Sequence, residues 1–152
     1  GRDNRFTVRA GVGLTDRLRL EAAYLYETFN ARDEFWDWSG NTALGRITFD
    51  LTSSLQVALA YSYRNGDVIA YARPPRPDIV AISSKQEVVD TFGFPFYTAY
   101  KLRGSTNSVS VSAAYTVNKN ISLEMSYEYQ NTFHGSLDYE NHLFEAKVAF
   151  GY

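Results

Sequence analysis

Hydrophobic and polar residues alternate along most of this chain with a period of two, which is typical of β-strands that have one polar face. Near the end of the chain, Phe144 and Val148 fall on one side of the alternation, and Glu145 and Lys147 fall on the other. The stretches that follow this pattern are 6–14, 18–27, 42–51, 55–64, 108–117, 121–130 and 141–152. The pattern therefore predicts an all-β fold with about seven strands.

Short turns repeat between these strands. A sequence of one apolar, three polar and one apolar residue occurs at 14–18, 51–55 and 117–121, and each time the following strand reaches Tyr-x-Tyr. The other connections are predicted to be longer: 31–40, about 72–95 and 135–140. Short turns are therefore expected at one end of an antiparallel sheet and long loops at the other. Within the second loop, residues 83–90 have Ser and Glu placed as at a helix start, which indicates a helical turn.

Length and composition narrow the class of protein. The chain has 152 residues, which suits one domain over 1–152, and its formal net charge of -2 does not indicate a nucleic-acid partner. It has no cysteine, so disulfides and thiolate metal sites are excluded. No run of about 18 apolar residues is present, so no transmembrane helix is predicted. The first residues lack the apolar core of a signal peptide, so one has been removed or the chain belongs to a longer protein.

Two kinds of protein have such alternating strands. One is a soluble sandwich or barrel with one wet face, and the other is a transmembrane barrel whose apolar face meets lipid. The apolar face is unbroken in this chain, and the polar face carries both signs of charge, which favours the transmembrane barrel. The charged residues of the polar face are Arg5, Arg9, Arg19, Glu21, Glu27, Arg46, Asp50, Arg64, Glu124, Glu128, Glu145 and Lys147.

Tyrosines are a second feature that favours a membrane barrel. Strands of about 9–11 residues cross a bilayer, and girdles of aromatic residues mark its two edges. Tyrosine pairs in this chain recur about nine residues after each short turn, so we expect them at one level of the sheet. The predicted girdle consists of Tyr24, Tyr26, Tyr61, Tyr63, Tyr127 and Tyr129. A soluble sandwich gives no reason for placing tyrosines at one level.

The final strand resembles a known signal. The sequence Phe-Glu-Ala-Lys-Val-Ala-Phe-Gly-Tyr, with Phe150 and the terminal Tyr152, resembles the assembly signal of Gram-negative outer-membrane β-barrel proteins, and the repeated strands are similar to those of β-barrel porins. The resemblance covers nearly the whole chain. It implies an antiparallel up-and-down transmembrane β-barrel in the bacterial outer membrane. It also implies contact with outer-membrane lipid and lipopolysaccharide, and recognition of the last strand by the barrel assembly machinery.

The number of strands raises a question about closure. Single-chain bacterial barrels have an even number of strands, whereas about seven are predicted in this chain. We therefore expect the C-terminal part of a larger barrel, or one chain of a barrel that further strands or another chain complete. The rival interpretation is an eight-stranded barrel in which one strand has been misread.

The expected function follows from the polar face. Pairing across the short turns predicts Arg5 opposite Glu27 and Thr42 opposite Arg64, and acids beside Arg46 and Lys147. In a large barrel the twelve charged residues would line a passive diffusion channel for small polar solutes or ions. In an eight-stranded barrel side chains fill the interior, and its loops would have a structural, adhesive or surface-binding role. The channel is the favoured hypothesis, and no cofactor is expected.

The long loops carry the remaining candidates. Residues 72–95 either fold inward as a constriction, with Arg73 and Arg76 reaching the lumen, or form an exposed surface loop, which is favoured. Trp36 and Trp38 are expected to anchor at the outer interface rather than to stack on a sugar.

An enzyme is the contrasting class, and it has little support. Ser136 lies between His134 and His142, with Asp138 and Glu140 nearby, so residues of the types used by a lipid hydrolase occur together. Their spacing matches no catalytic motif, so no enzymatic activity is expected. A loop metal site at Asp138, Glu140 and His142 is equally weak, and no phosphate-binding glycine loop is present.

Overall fold

The computed structural model describes residues 1–72, 76–89, 97–134 and 137–150, and these form an all-β antiparallel sheet of eight strands. The strands are β1 Arg2–Gly13, β2 Leu18–Asn30, β3 Trp38–Asp50, β4 Leu55–Ala72, β5 Lys85–Val89, β6 Tyr97–Asn118, β7 Ile121–His134 and β8 Leu137–Phe150. The helical elements are a 3-10 helix, Glu34–Trp36, and a single-turn α-helix α1, Pro77–Val80. No helix of this described part is long and apolar enough to cross a membrane.

Seven strands form one continuous path in the order β1–β2–β3–β4–β6–β7–β8, and β5 pairs with β6 beside that path. Each pair in the path is antiparallel, so strand direction alternates and β1 and β8 run in the same direction. The sheet is not closed: within the described residues, no strand pairs with the outer edge of β1 or of β8.

The segment between β4 and β6 differs from the sequence prediction. The helical turn predicted at 83–90 is wrong, because β5 occupies most of that stretch and pairs with Tyr97–Lys101 of β6. β6 extends past the end of β7, so its edge is unoccupied there and can accept a short strand that ends in two valines. The helix of this segment lies earlier, at α1, with Pro77 in its first turn.

The connection between β7 and β8 is also shorter than predicted. The long loop expected at 135–140 is wrong, because β8 begins at Leu137 and its first residues pair with the end of β7, for example Glu140 with Asn131. The strand ladder therefore continues almost to the tip of this hairpin. Long connections are confirmed only between β2 and β3 and between β4 and β6.

The first two short turns are alike in structure, and the third is tighter, because β6 runs to Asn118 and β7 begins at Ile121. The hydroxyl of Thr15 accepts a hydrogen bond from the Leu18 backbone nitrogen at 3.0 Å, and Thr52 does the same for Leu55 at 3.0 Å. In the third turn the side-chain oxygen of Asn118 accepts from a backbone nitrogen at 2.8 Å. Such side chain-to-backbone bonds satisfy turn donors locally and favour the reversal of the chain.

The sheet has an apolar face and a polar face. In a soluble sandwich the apolar face is buried, whereas in this sheet its large side chains are exposed. On the apolar face Leu59 is 49% exposed and Val111 is 52% exposed. On the polar face Thr48, Ala58 and Ser108 are buried. Small side chains on the polar face are thus buried, while large apolar side chains on the other face of the central strands are exposed.

A row of glycines, Gly40, Gly66 and Gly104 on adjacent strands, divides the molecule. A side chain at Gly66 would place its Cβ 2.6 Å from the Cα of Gly40, so this close approach of β3 and β4 requires glycine. We call the part of the sheet between the short turns and this row the lower sheet. The upper end comprises residues 29–39 and the described part of 67–103.

The upper end has a conventional core on both sides of β6. On the side continuous with the apolar face, Phe35 packs against Ala99, with Trp36 and Ile69 around them. On the side continuous with the polar face, residues of the segment that contains α1 pack against β6: the cluster consists of Ile79, Ile82, Tyr100 and Leu102. Both long connections therefore fold back onto the extended strand.

Candidate functional site

The cross-strand register confirms the pairings that were predicted across two of the short turns. Arg5 lies opposite Glu27, and Thr42 lies opposite Arg64. Strand alternation then places the twelve predicted charged residues on one face of the sheet, since the register is continuous from β1 to β4 and from β6 to β8. A register shift in β6 lies beside the third turn, between Thr116 and Asn118, and leaves this assignment unchanged.

Some of these charges form ion pairs. Arg5 pairs with Glu27 at 2.6 Å, a direct cross-strand contact that the register dictates. Arg19 pairs with Asp50 at 3.1 Å, although the residue directly opposite Arg19 is Thr48, two residues earlier on β3. All these side chains are at least partly exposed, so each pair contributes about 1 kcal/mol or less.

Arg46 and Lys147 lie beside acids, as the sequence predicted, but they do not bind those acids. Arg46 is directly opposite Glu21, and no ion pair joins these two described residues. Lys147 is directly opposite Glu124 but pairs with Glu145 of its own strand at 3.0 Å. Arg46, Glu21 and Glu124 therefore keep charges that can act on a solute.

Charge is unevenly distributed across the polar face. The predicted residues on β1 to β4 include five arginines and three acids, whereas those on β7 and β8 include three glutamates and one lysine. β6 separates the two groups with serine, alanine and threonine. One cross-strand row contains Arg46, Ala60, Ser110 and Glu128 in that order, so a basic and an acidic residue flank two small neutral ones.

A recess of about 500 Å³ lies on the basic half of this face. Its lining includes Arg9, Glu21 and Arg46, with the small residues Ala60 and Ser110 beside them. The recess can take up small polar groups between a basic side and neutral walls, and residues from five strands form it. Its described lining contains no arrangement of nucleophile, base and orienting group.

On the apolar face, tyrosine hydroxyls form a repeated set of hydrogen bonds. Tyr24 donates to Asn41 at 2.6 Å, and Tyr61 donates to Asn107 at 2.6 Å. The pattern continues on β7 and β8, where the Tyr127 hydroxyl lies 2.8 Å from Nδ1 of His142. In each case the partner is a polar residue on the neighbouring strand, two residues closer to the upper end than the residue directly opposite the tyrosine. These bonds mark a line at which the apolar face becomes polar.

The six predicted girdle tyrosines follow a regular offset. The tyrosine pair of β2 is centred on Leu25, whose cross-strand row reaches Arg64 on β4, but the β4 pair is centred two residues nearer the short turns, on Ser62. The row of Ser62 reaches Gln130 on β7, and the β7 pair is again centred two residues nearer the short turns, on Glu128. One strand lies between successive pairs, β3 between β2 and β4 and β6 between β4 and β7, so the offset is one residue for each neighbouring strand. With about 3.4 Å per residue and about 4.8 Å between strands, the line of tyrosines is inclined by about 35° to the cross-strand rows.

Residues 76–82 lie on the polar-face side at the upper end, packed against β6. Arg76, one of the two arginines predicted to reach the lumen, is exposed and pairs with Asp78 at 2.5 Å. The hydrogen bond from Arg76 holds the pKa of Asp78 below its usual value. Arg73 lies outside the described residues.

The candidate hydrolase residues that the structure describes lie on different faces of the sheet. His134 and His142 belong to opposite faces of the sheet, and Ser136 lies outside the described residues. Glu140 accepts a hydrogen bond from Tyr129 at 3.0 Å on the apolar face. Within the part of the chain that the structure describes, no group of three His, Asp or Glu side chains is placed to hold a metal ion.

The two tryptophans and the assembly signal occupy different environments. Trp36 packs edge-on against Phe35 with ring centroids 5.1 Å apart, so it belongs to the core of the upper end. Trp38 begins β3 opposite Phe29. Phe150 ends β8 and is exposed, and Tyr152 lies outside the described residues.

Sequence reasoning missed several residues of these sites. Asn41 and Asn107 were not identified, although each occupies an apolar-face position just beyond a tyrosine level, which is a detectable signal. Tyr100 and Leu102 were also missed, because the strand was predicted to begin only near residue 108, whereas β6 begins at Tyr97. Once β6 is known to include them, their size at polar-face positions indicates that another element covers them.

Comparison of the chain with protein-family models, with curated proteins and with solved structures found no match. Function is therefore inferred from the two faces of the sheet, the line of tyrosines and the packed upper end.

Proposed function

We propose that this chain forms part of a β-barrel in the outer membrane of a Gram-negative bacterium and contributes to a passive diffusion channel for small polar solutes or ions. The observation that carries the proposal is the reversed exposure of the lower sheet. Its large apolar side chains are bare across the whole width of the sheet, from Val8 on β1 to Val148 on β8. Lipid acyl chains are the surroundings in which such a face is stable.

The line of tyrosines gives independent support. Strands of membrane barrels are inclined by about 35–45° to the barrel axis. The offset of one residue per strand corresponds to about 35°, so strands with that inclination bring all six girdle tyrosines to one level. The hydrogen bonds from Tyr24 and Tyr61 to asparagines would then lie at the headgroup boundary, where an aromatic ring with a polar tip is favoured.

Closure of the barrel needs further strands in this proposal. β1 and β8 run in the same direction, so an antiparallel closure requires an odd number of additional strands from this protein or from another chain. Edge strands that stay exposed are normally protected by prolines, bulges or inward charges. β1 and β8 have 12 and 14 residues, contain no proline and carry polar-face charges such as Arg9 and Lys147, so we infer that further strands cover both edges.

The partners of the channel follow from the same proposal. Outer-membrane lipid and lipopolysaccharide would contact the apolar face, and the barrel assembly machinery would recognise β8. No covalent step and no cofactor are part of the mechanism. Solutes would move along the polar face, where the charges of Arg46, Arg64 and Glu128 set the local field.

Conductance in planar bilayers tests this function. The assembled protein is expected to give channel events, and Arg46→Glu or Arg64→Glu is expected to shift ion selectivity toward cations. Lys119→Glu makes the same charge change in the third short turn, away from the recess, and should leave selectivity unchanged. An assembled protein that gives no channel events would contradict the proposal.

A binding role for the upper end is the second candidate, and one observation favours it. The upper end has its own buried core, unlike a set of mobile loops, and presents a recess of about 700 Å³ between the 3-10 helix and β5. Retention of a folded upper end in a protein without channel activity would favour this role over the channel.

A further inference from the structure

The segment of residues 76–89 is fastened to β6 at both of its ends. Near its start, the backbone nitrogen of Arg76 donates to the Tyr100 hydroxyl at 3.1 Å, and Ile79, 3% exposed, is buried against β6. Near its end, the Ser84 backbone nitrogen donates to the Lys101 carbonyl at 2.9 Å, just before β5. Between these points the segment lies beside the end of β7.

His134, the last residue of β7, is the link to that part of the segment. Its Nδ1 contacts the backbone carbonyl oxygen of Arg103 on β6. Its Nε2 lies 3.3 Å from the backbone carbonyl oxygen of Ile82 in the segment. One imidazole ring thus stands between two carbonyl oxygens that belong to separate parts of the chain.

The protonation state of the ring decides whether both contacts are attractive. A neutral imidazole carries one N–H, and its other nitrogen is an acceptor. A carbonyl oxygen is also only an acceptor, so a neutral His134 can donate to Arg103 or to Ile82 but not to both. The imidazolium has two N–H donors and satisfies both oxygens with charge-assisted hydrogen bonds. Histidine side chains change charge between about pH 5 and pH 8.

The other described groups near His134 keep their charge in that range. On the same side of the sheet, the titratable groups around it are Tyr100 on β6, Tyr139 on β8 and the Arg76–Asp78 ion pair of the segment. Tyrosine and an arginine–aspartate pair do not titrate between about pH 5 and pH 8. The charged residues on the opposite side of the neighbouring strands are Lys85, Glu87, Lys101, Arg103 and Asp138.

We infer that His134 is a pH-dependent latch that holds residues 76–89 against the polar face in acid and releases their middle part at alkaline pH. The segment covers the upper end of the polar face, so the latch controls how open that end is. The effect on permeation rests on the proposed channel, whereas the latch itself rests only on the contacts of His134.

Hydrogen–deuterium exchange of the full protein measures the latch without using transport. After correction for intrinsic rates, amides of residues 79–83 are expected to exchange about tenfold more slowly at pH 5.5 than at pH 8, the effect of one charge-assisted hydrogen bond. Residues 57–63 of β4 serve as the internal reference and should show no such difference.

Variants of the two histidines separate the latch from general effects of pH. His134→Gln should abolish the difference, and His134→Arg, which stays charged, should give the slow exchange at both pH values. His142→Asn is the matched control, because asparagine occupies the equivalent positions 41 and 107, and it should keep the difference. A pH difference that survives in His134→Gln, or its absence in the wild type, overturns the latch.

Conductance of the same proteins distinguishes the two proposals. Lower conductance at pH 5.5 in the wild type but not in His134→Gln supports both the latch and the channel. An exchange difference without channel events supports the latch and overturns the channel. Channel events without an exchange difference overturn the latch alone.

Discussion

The two halves of β6 show how one strand can serve two different environments. In its lower half, Val109 and Val111 are exposed, and small polar residues such as Ser108 are covered. In its upper half, Tyr100 and Leu102 are 0% and 2% exposed and form a core with the segment that contains α1. The lower half places its apolar side outward, and the upper half buries apolar residues on both sides.

Alternation defines the two faces of a strand but not the surroundings of each face. The same period of two runs through both halves. What changes is the residues on each side: the polar-face side passes from serine and alanine to tyrosine and leucine, and the other side passes from valine to Lys101 and Arg103. Large residues on the polar-face side require a covering element, and residues 76–89 provide it.

The largest effect is expected from removing a large side chain of the upper core. Leu102→Ala should destabilise the upper end by about 2–5 kcal/mol, because Leu102 is buried and its cavity cannot collapse fully. Leu59→Ala, the same change at an exposed position of the lower sheet, should cost about 0.5 kcal/mol. Denaturant unfolding followed by hydrogen exchange measures both, and equal costs would remove the distinction between the two regions.

A charge on either face of the lower sheet is the next test. Val111→Arg puts a charge on the apolar face and should oppose membrane insertion by about 2–4 kcal/mol if that residue lies near the bilayer centre. Ser110→Arg places the same side chain on the polar face of the same strand and should insert normally. Reconstitution into lipid vesicles measures the inserted fraction, and equal insertion of the two variants would contradict a lipid-facing apolar side.

The smallest effect is expected at the line where the apolar face becomes polar. Tyr61→Phe removes the hydrogen bond to Asn107 and should destabilise the protein by about 0.5–1.5 kcal/mol. Tyr115→Phe is the matched control, since its hydroxyl makes no side-chain hydrogen bond to any residue in the described ranges. A double-mutant cycle with Asn107→Ala isolates the bond, and a coupling near zero would show that it does not stabilise the boundary.

Much of the lower sheet could be predicted from the sequence because its determinants are local. The pattern around each short turn sets its register, so counting outward from the first turn is enough to place Arg5 opposite Glu27. The face of every charged residue then follows from alternation. The ion pairs were less predictable, since Lys147 reaches Glu145 along its own strand instead of Glu124 across it.

The upper end could not be predicted in the same way because its determinants are distant in sequence. Residues 83–90 have a local preference for a helical turn, but pairing with the unoccupied edge of β6 prevails. The early start of β8 was missed for a different reason, because apolar and acidic residues alternate in 137–140 with the opposite phase to residues 142–150. The contacts of His134 join β6, β7 and residue 82, and no short-range pattern reports them.

The first two short turns also align neighbouring hairpins with each other. The backbone nitrogen of Asp50 donates to the Arg17 carbonyl, and that of Thr116 donates to the Ser54 carbonyl, each at 2.8 Å, so each hairpin fixes the starting point of the next. Neighbouring hairpins are thus aligned at the short-turn end of the sheet as well as along their strands, at the junctions of β2 with β3 and of β4 with β6.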